Sequence, residues 1–294
     1  MPIAISIDGR ACTEADATVS VLDRGFLFGD SVFEVVRTYG GVPFAGREHL
    51  ERLARSCEKL GIALPVAIEG LEREIREAIA RSGEPECYVR VVISRGRGPL
   101  NIDPTPARVP LRVVIAAPLT PWPEGLHERG VEVATVRVER ATDHTRAAGA
   151  KVSAYVANML ALATARERGA YEAMMLGAAG EISEGSTSNV FAIRGGVLRT
   201  PPLSMGILGG ITRAFALRAA DELGVPWREE VLFARDLERA DEAFLTSSLR
   251  ELVPIVAIDG ARIGDGRPGE TTARLLERYR ALAREHCRAS ADVV

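Results

Sequence analysis

The chain has 294 residues, enough to bury a large core, and two domains are the starting expectation. Its 37 basic and 40 acidic residues give a formal net charge of −3, and they interleave along helical stretches, so nothing marks a nucleic-acid binder. The cysteines Cys12, Cys57, Cys87 and Cys287 lie far apart with no CxxC pair; this argues against a disulfide framework or zinc site and points to reduced thiols in a cytosolic protein.

The start, Met1–Asp8, alternates and lacks the basic, long-apolar pattern of a signal peptide. Strands are predicted at 32–38 and 88–94, where β-branched residues concentrate. A helix over 48–60 carries Leu50, Leu53, Cys57 and Leu60 at helical spacing and stops at Gly61; another over 68–80 ends by Gly83. A buried strand at 109–116 precedes a turn-rich stretch with Pro121, Pro123 and Gly125. The domain expectation is therefore a small domain over 1–118, a linker over 119–130 and a larger domain over 131–294.

The second part opens with a strand at 131–138 and a polar loop, followed by a helix over 155–168. Strands follow at 172–176, 190–194 and 197–200, then a helix over 211–223 closed by Gly224 and Pro226. Strands at 242–246 and 255–258 and a helix over 271–286 complete an α+β chain without strict βαβ alternation. No apolar run reaches membrane-spanning length, because the Ala-rich stretch is interrupted by Lys151, Ser153 and Asn158.

Of the 37 basic residues only Lys59 and Lys151 are lysines. Arginine holds its proton far above neutrality, whereas a lysine amine can lose one and attack a carbonyl to form a Schiff base. Lys59 sits beside Arg52, Arg55 and Glu58 on what reads as a solvated helix face. Lys151 is the only charge between Arg146 and Arg166, among small residues that let other atoms approach. It is either a lysine snorkelling from a buried helix end or a nucleophile.

Other features bear on chemistry. Leu208-Gly-Gly-Ile-Thr-Arg213 runs into a helix, so the N–H groups of Ile211 and Thr212 suit a phosphate, unless Thr212 simply caps the helix. Thr246-Ser-Ser-Leu249 clusters hydroxyls. Glu184, in Glu181-Ile-Ser-Glu-Gly-Ser-Thr-Ser-Asn189, is either an exposed turn glutamate or an acid held toward a cationic partner. P-loop, GxSxG, HExxH and GxGxxG patterns are absent, and the histidines are scattered, which leaves a metal site little support. A lysine, phosphate donors and a lone carboxylate together match the needs of pyridoxal 5′-phosphate: an imine partner, a phosphate cup and an acid for the ring nitrogen.

At these residues the sequence resembles the class IV, or fold-type IV, pyridoxal-phosphate enzymes. That family holds branched-chain aminotransferases, D-amino-acid aminotransferases and aminodeoxychorismate lyases. The resemblance covers nearly the whole chain: Asp23-Arg-Gly-Phe-Leu-Phe-Gly-Asp-Ser-Val-Phe-Glu34, Ala150-Lys151, Ser183-Glu-Gly-Ser-Thr-Ser-Asn-Val-Phe191, Thr200-Pro-Pro-Leu203, Gly209-Gly-Ile-Thr-Arg213, Ala240-Asp-Glu-Ala-Phe244 and Gly264-Asp-Gly266. It implies a small α/β domain, a larger pseudo-barrel α/β domain and a homodimer.

By the same resemblance, Lys151 is the catalytic lysine that joins the cofactor and shuttles a proton, and Glu184 pairs with the pyridinium nitrogen. Arg52 matches the phosphate arginine, Ile211 and Thr212 the backbone phosphate cup, and Ser248 its hydroxyl ligand. Leu208 matches the apolar residue against the ring. Tyr155 resembles the tyrosine that bonds the phenolic oxygen, although it sits one position nearer the lysine than in many branched-chain enzymes.

The resemblance implies an aminotransferase working on an amino acid, branched-chain L substrates favoured, and a 2-oxo acid such as 2-oxoglutarate. D-amino-acid transfer and 4-amino-4-deoxychorismate lysis are the alternatives. Val35 replaces the lyases' usual threonine, while Thr246-Ser-Ser-Leu-Arg250 is lyase-like. The arginine and histidine of the well-known D-specific loop are missing from Pro99-Leu-Asn-Ile102. Tyr88-Val-Arg90 resembles the branched-chain pocket. Phe33-Glu-Val-Val36 is closer to the D-specific form, and Arg24 with Arg90 offers a carboxylate clamp for that reading.

Overall fold

The computed structural model describes residues 3–138 and 145–291. Much of the expected polar loop, His144 included, lies outside those residues. The chain forms two compact units: Met1–Pro121 with Ala150–Ala154 and Ala283–Val294, and Trp122–Gly149 with Tyr155–Leu282. The sequence reading assigned the two short segments of the first unit to the second domain.

The first unit contains β1 (Ala4–Ile7), β2 (Arg10–Cys12), α1 (Arg24–Phe28), β3 (Ser31–Tyr39), β4 (Val42–Pro43), α2 (Gly46–Leu60), α3 (Ile68–Ser82), β5 (Cys87–Ser94) and β6 (Leu111–Pro118). Its antiparallel six-stranded sheet has the order β2-β1-β6-β5-β3-β4. Strand β5 shows why: Cys87, Val89, Val91 and Ile93 are buried, while Tyr88, Arg90 and Val92 between them are only half-buried. One face of the sheet therefore packs with Leu50, Leu53 and Cys57 of α2 and Leu71 and Ile75 of α3. Each such leucine contributes roughly 1.5–3 kcal/mol by leaving water. Gly61 and Gly83 end the two helices in the left-handed conformation, at φ 66° and 70°, as the stop signals imply.

The second unit begins with α4 (Leu126–Arg129), β7 (Val131–Arg137), α5 (Val156–Glu167), β8 (Glu172–Leu176), β9 (Glu181–Gly185), β10 (Asn189–Arg194) and β11 (Val197–Thr200). It continues with α6 (Ile211–Glu222), β12 (Trp227–Glu229), β13 (Leu232–Phe233), α7 (Ala234–Glu238), β14 (Glu242–Ser247), β15 (Glu251–Ile258), β16 (Ala261–Arg262) and the first part of α8 (Glu270–Ala291). The ten-stranded sheet runs β12-β11-β10-β14-β15-β7-β8-β9-β13, with β16 on β15. Strand β9 also approaches β10, far from it in that order, so the sheet curls on itself as the expected pseudo-barrel does. Helix α5 packs on β7 and β8, and α6 on β14 and β15. The main departure from the sequence reading is β9, expected as a turn. Ile182 is fully buried and pairs toward both β8 and β13, which draws Glu181–Gly185 into the sheet.

Gly96, just after β5, has φ 85°, and a Cβ there would collide with the Val109 carbonyl oxygen. Gly40 has φ 58° but open space around it. Gly96→Ala should lose about 2–4 kcal/mol of unfolding free energy, and Gly40→Ala about 1 kcal/mol. Urea denaturation measures both, and equal losses would contradict the collision.

Candidate active site

In the first unit β3 and β5 pair with Val35 opposite Arg90, Phe33 opposite Val92 and Arg37 opposite Tyr88. Strand alternation puts Phe33, Val35, Tyr88 and Arg90 on one face, opposite the face that packs on α2 and α3. The Arg90 guanidinium lies 3.9 Å from the Phe33 ring centroid and donates to the Tyr88 hydroxyl at 3.3 Å. Lys151 reaches the same ring: its Nζ stands 4.7 Å from the Phe33 centroid. Its backbone is fixed beside β3, because Phe33 N–H donates to Lys151 C=O at 3.0 Å, Ser153 N–H to Ser31 C=O at 2.9 Å, and Lys151 N–H to Ser56 Oγ at 3.2 Å. A Val32–Val152 bridge completes the attachment. The lysine is thus held on the sheet, with its amine next to an apolar ring.

Arg52 departs from the surface reading. It is buried, whereas Arg55, Glu58 and Lys59 on the same helix are exposed. Its Nε and one terminal nitrogen donate to Glu34 Oε1 and Oε2 at 2.6 and 2.7 Å, and His49 Nδ1 lies 2.8 Å from Glu34 Oε2. Burial pushes the Glu34 carboxyl up. The Arg52 charge and hydrogen bonds, with those of His49, outweigh that and hold it well below the usual carboxylate range. Burial holds His49 below its ordinary value against the pull of Glu34, so it is neutral at pH 7 and its Nδ1–H donates to the carboxylate. Glu34 and His49 were missed in the sequence. The signals were an acid inside a β-branched strand and a His–Arg pair three residues apart on one helix face.

Arg24 also departs from expectation. Its Nε donates to Asp30 at 3.0 Å and its terminal nitrogens to the carbonyls of Asn101 and Ile102 at 2.8 and 3.0 Å. Asp30 is shared with Arg95, which also donates to the Leu60 and Gly61 carbonyls at the end of α2. Arg24 is therefore a buried anchor for the 101–102 backbone, and its charge is already paired instead of being held for a substrate carboxylate.

In the second unit Glu184 is buried on β9, so the exposed-turn reading fails. Its Oε2 accepts from Leu208 N–H at 3.1 Å and from Asn189 Nδ2 at 3.3 Å, and Asn189 Nδ2 also donates to Leu208 C=O at 2.9 Å. Asn189, a further residue missed in the sequence, ties the carboxylate to the Gly-rich turn. A Cβ at Gly210 would collide with Asn189 Oδ1, which explains the glycine. Gly210 is the N-cap of α6 and no side chain caps the helix, so the expectation that Thr212 caps it fails. The N–H groups of Ile211 and Thr212 have no acceptor within the helix.

The Oγ1 atoms of Thr212 and Thr246 are buried without a hydrogen-bond partner among the described residues. Thr246 pairs with Asn189 across β14 and β10, and Ser248 lies half-buried in the turn that follows. An uncapped helix start and two unsatisfied hydroxyls fit a phosphate group. Leu208 and Ile211, on the same Gly-rich turn and helix start, are half-buried, and Tyr155, which immediately precedes α5, is half-buried too. Buried thiols do not compete as nucleophiles: burial pushes Cys57 up to about 12, and burial with Glu86 pushes Cys287 up to about 11. Among the described residues no His, Cys, Asp and Glu group is arranged to hold a metal ion.

With this geometry in view, the sequence profile of the Amino-transferase class IV family matches residues 31–258. The chain belongs to that family. It is 37% identical over 278 residues to a Methanocaldococcus jannaschii protein assigned to the branched-chain-amino-acid aminotransferases, spanning 95% of this chain and 96% of that one. It is 33% identical over 288 residues to the D-alanine aminotransferase of Staphylococcus epidermidis, spanning 96% and 98%. Its fold is similar to that of a branched-chain amino acid aminotransferase solved in complex with N-(5′-phosphopyridoxyl)-L-glutamate, with a TM-score of 0.89, 31% identity, and coverage of 96% of this chain and 94% of that chain.

Glu34→Gln removes the carboxylate that the buried Arg52 charge is paired with and should cost about 3–5 kcal/mol at pH 7. Because the folded pKa of Glu34 is depressed, its contribution is complete above about pH 4.3, the unfolded value, and fades as the pH falls below it. Urea midpoints of both proteins between neutral and acid pH check this. The gap should narrow only in the acid range, and a gap independent of pH would contradict the ion-pair account.

Proposed function

We propose that this chain is a pyridoxal 5′-phosphate-dependent aminotransferase that moves an amino group between a branched-chain L-amino acid and a 2-oxo acid such as 2-oxoglutarate. The observation that carries the reading is Lys151, fixed beside β3 with its amine over Phe33 on the face that also bears Val35, Tyr88 and Arg90. When bound, the cofactor supplies an aldehyde for the amine and a ring that withdraws electrons from the substrate carbon.

Lys151 holds and moves the proton at the reacting carbon. Glu184, oriented by Leu208 N–H and Asn189, keeps a proton on the ring nitrogen. Ile211, Thr212 and Ser248 bind the phosphate, and the orphaned Thr246 hydroxyl joins them. Arg52 adds a cation for the phosphate whose direction is set by Glu34. Leu208 lies against the ring, and Tyr155 donates to its phenolic oxygen.

Arg90 and Tyr88 bind the carboxylate of an acidic donor, and Phe33 and Val35 form the apolar wall for an aliphatic side chain. The structural relative complexed with a phosphopyridoxyl derivative of L-glutamate supports the L reading. The commitment of Arg24 to Asp30 and backbone carbonyls removes one argument for the D reading. D-amino-acid transfer remains the second reading, favoured by Val35 and by the D-alanine aminotransferase relative.

We also propose a cytoplasmic homodimer. Val156, Met159 and Leu160 form an exposed apolar stripe on α5, and Phe26 and Ile102 are largely exposed in the first unit. The four free cysteines fit a reducing compartment. No helix among the described residues is long and apolar enough to cross a membrane. Sedimentation equilibrium should return twice the chain mass of 31.6 kDa.

Borohydride reduction of the cofactor-loaded protein, followed by peptide mapping, should attach the label to Lys151 and not to Lys59. Lys151→Ala and Lys151→Arg should both lose turnover by more than roughly a thousandfold, since a fixed charge cannot replace an amine. A label on Lys59 would overturn the assignment. With 4-methyl-2-oxopentanoate and L-glutamate, chiral chromatography should find L-leucine. A D-leucine product, or turnover with D-glutamate alone, would promote the second reading.

A further inference from the structure

One fully buried carboxylate in the second unit, Glu172 at the start of β8, has no part in the chemistry described above. Its Oε1 accepts from Ala173 N–H at 3.0 Å and from Ser186 Oγ. Its Oε2 accepts from Thr187 Oγ1 at 2.9 Å, Ser188 Oγ at 3.3 Å and an Arg250 terminal nitrogen at 3.1 Å. Three of these donors are consecutive hydroxyls in the loop that joins Glu184, on β9, to Asn189, on β10. The fourth side chain closes the turn after β14, which carries Ser248 and follows Thr246 near the end of the strand. A single carboxylate thus joins the two segments that would face opposite ends of the cofactor.

Both segments are pinned from other directions too. Ser186 N–H donates to Ala173 C=O at 3.0 Å, Gly185 N–H to Ser188 C=O at 2.7 Å, and Asn158 Nδ2 to Ser186 C=O at 2.8 Å. In the turn, Arg250 Nε donates to Ser247 Oγ at 3.1 Å, while its terminal nitrogen also donates to Thr187 Oγ1 at 2.7 Å. Trp122 Nε1 donates to Leu249 C=O at 2.7 Å, and His127 Nε2 to Arg250 C=O at 3.0 Å. Glu251, next in the chain, has φ 62°, an uncommon conformation for a glutamate, and accepts from Arg280 Nε at 2.7 Å. A buried ion pair is seldom more stabilising than apolar residues of the same volume. What Glu172 and Arg250 add is a fixed spacing between loop and turn.

We infer that Glu172 is a positioning residue for the aminotransferase reaction. Through the Ser186–Ser188 hydroxyls it sets the strand ends that carry Glu184 and Asn189. Through Arg250 it sets the Thr246–Ser248 hydroxyls, so that the ring-nitrogen acid and the phosphate ligands are held at one distance from each other. The inference rests on the proposed use of pyridoxal 5′-phosphate by these residues.

The test is titration of the apoenzyme with pyridoxal 5′-phosphate, and separately with inorganic phosphate, in wild type, Glu172→Gln, Arg250→Gln and the double variant, with melting temperatures recorded alongside. Each single variant should weaken cofactor binding about tenfold or more and weaken phosphate binding in parallel. The double variant should be little worse than the weaker single one, because both act through one contact. The pH midpoint of the bound cofactor's visible absorption should also shift in Glu172→Gln, a change that a purely structural role would not produce. Cofactor affinity within about twofold of wild type in both single variants would overturn the inference, even with lowered melting temperatures. Should Glu172→Gln fail to fold, the less buried Arg250→Gln decides by the same criterion. A wild-type protein that binds no cofactor would overturn the functional reading, and this inference with it.

Discussion

A carboxylate removed from water must find replacement donors, or its burial costs more than a fold of this size can spare. Glu34, Glu172 and Glu184 are all buried, and each is met by more than one donor from elsewhere in the chain. Around Glu34 these are an arginine and a histidine of α2. Around Glu172 they are a hydroxyl loop and the arginine of a distant turn. Around Glu184 they are a backbone amide and an asparagine side chain. Satisfying these acids dictates where the neighbouring segments lie, and the residues proposed to act are on those segments or directly beside them.

The arrangement also accounts for the unusual local chemistry. Arg52 cannot rotate freely, because two of its nitrogens are committed to one carboxylate, so its charge points in one direction. The Gly-rich turn before α6 is kept close to Asn189 because no side chain at Gly210 could fit there. The hydroxyls of Thr212 and Thr246 stay unsatisfied among the described residues, a cost that makes sense where a bound anion would supply the missing partner. Preorganised donors of this kind need no rearrangement when the charge arrives.

Much of the framework was legible in the sequence. The α2 and α3 stripes and their glycine stops follow from local periodicity, and strand β5 from its β-branched residues, and they appear where expected. The scarcity of lysine singled out Lys151 without any structural knowledge. Local pattern could not reveal burial decided at long range. Arg52 reads as one more arginine on a polar helix, and only its pairing with Glu34, eighteen residues away in sequence, takes it inside. Glu184 reads as a turn residue until Ile182 draws β9 into the sheet. Arg24 resembles an available cation until Asp30 and two carbonyls are seen to occupy it. Each of these outcomes depends on a partner that no window along the chain contains.

The most direct test concerns the proton that Glu184 is proposed to keep on the cofactor. The protein would be loaded with pyridoxal 5′-phosphate labelled with nitrogen-15 in the ring, and the ring-nitrogen chemical shift followed between about pH 6 and 9 in wild type and Glu184→Gln. A pyridinium shift is expected in the wild type throughout. A neutral-pyridine shift is expected in the variant, with turnover lowered by roughly a hundredfold or more. The same shift in both proteins, with turnover preserved, would contradict the role assigned to this buried acid.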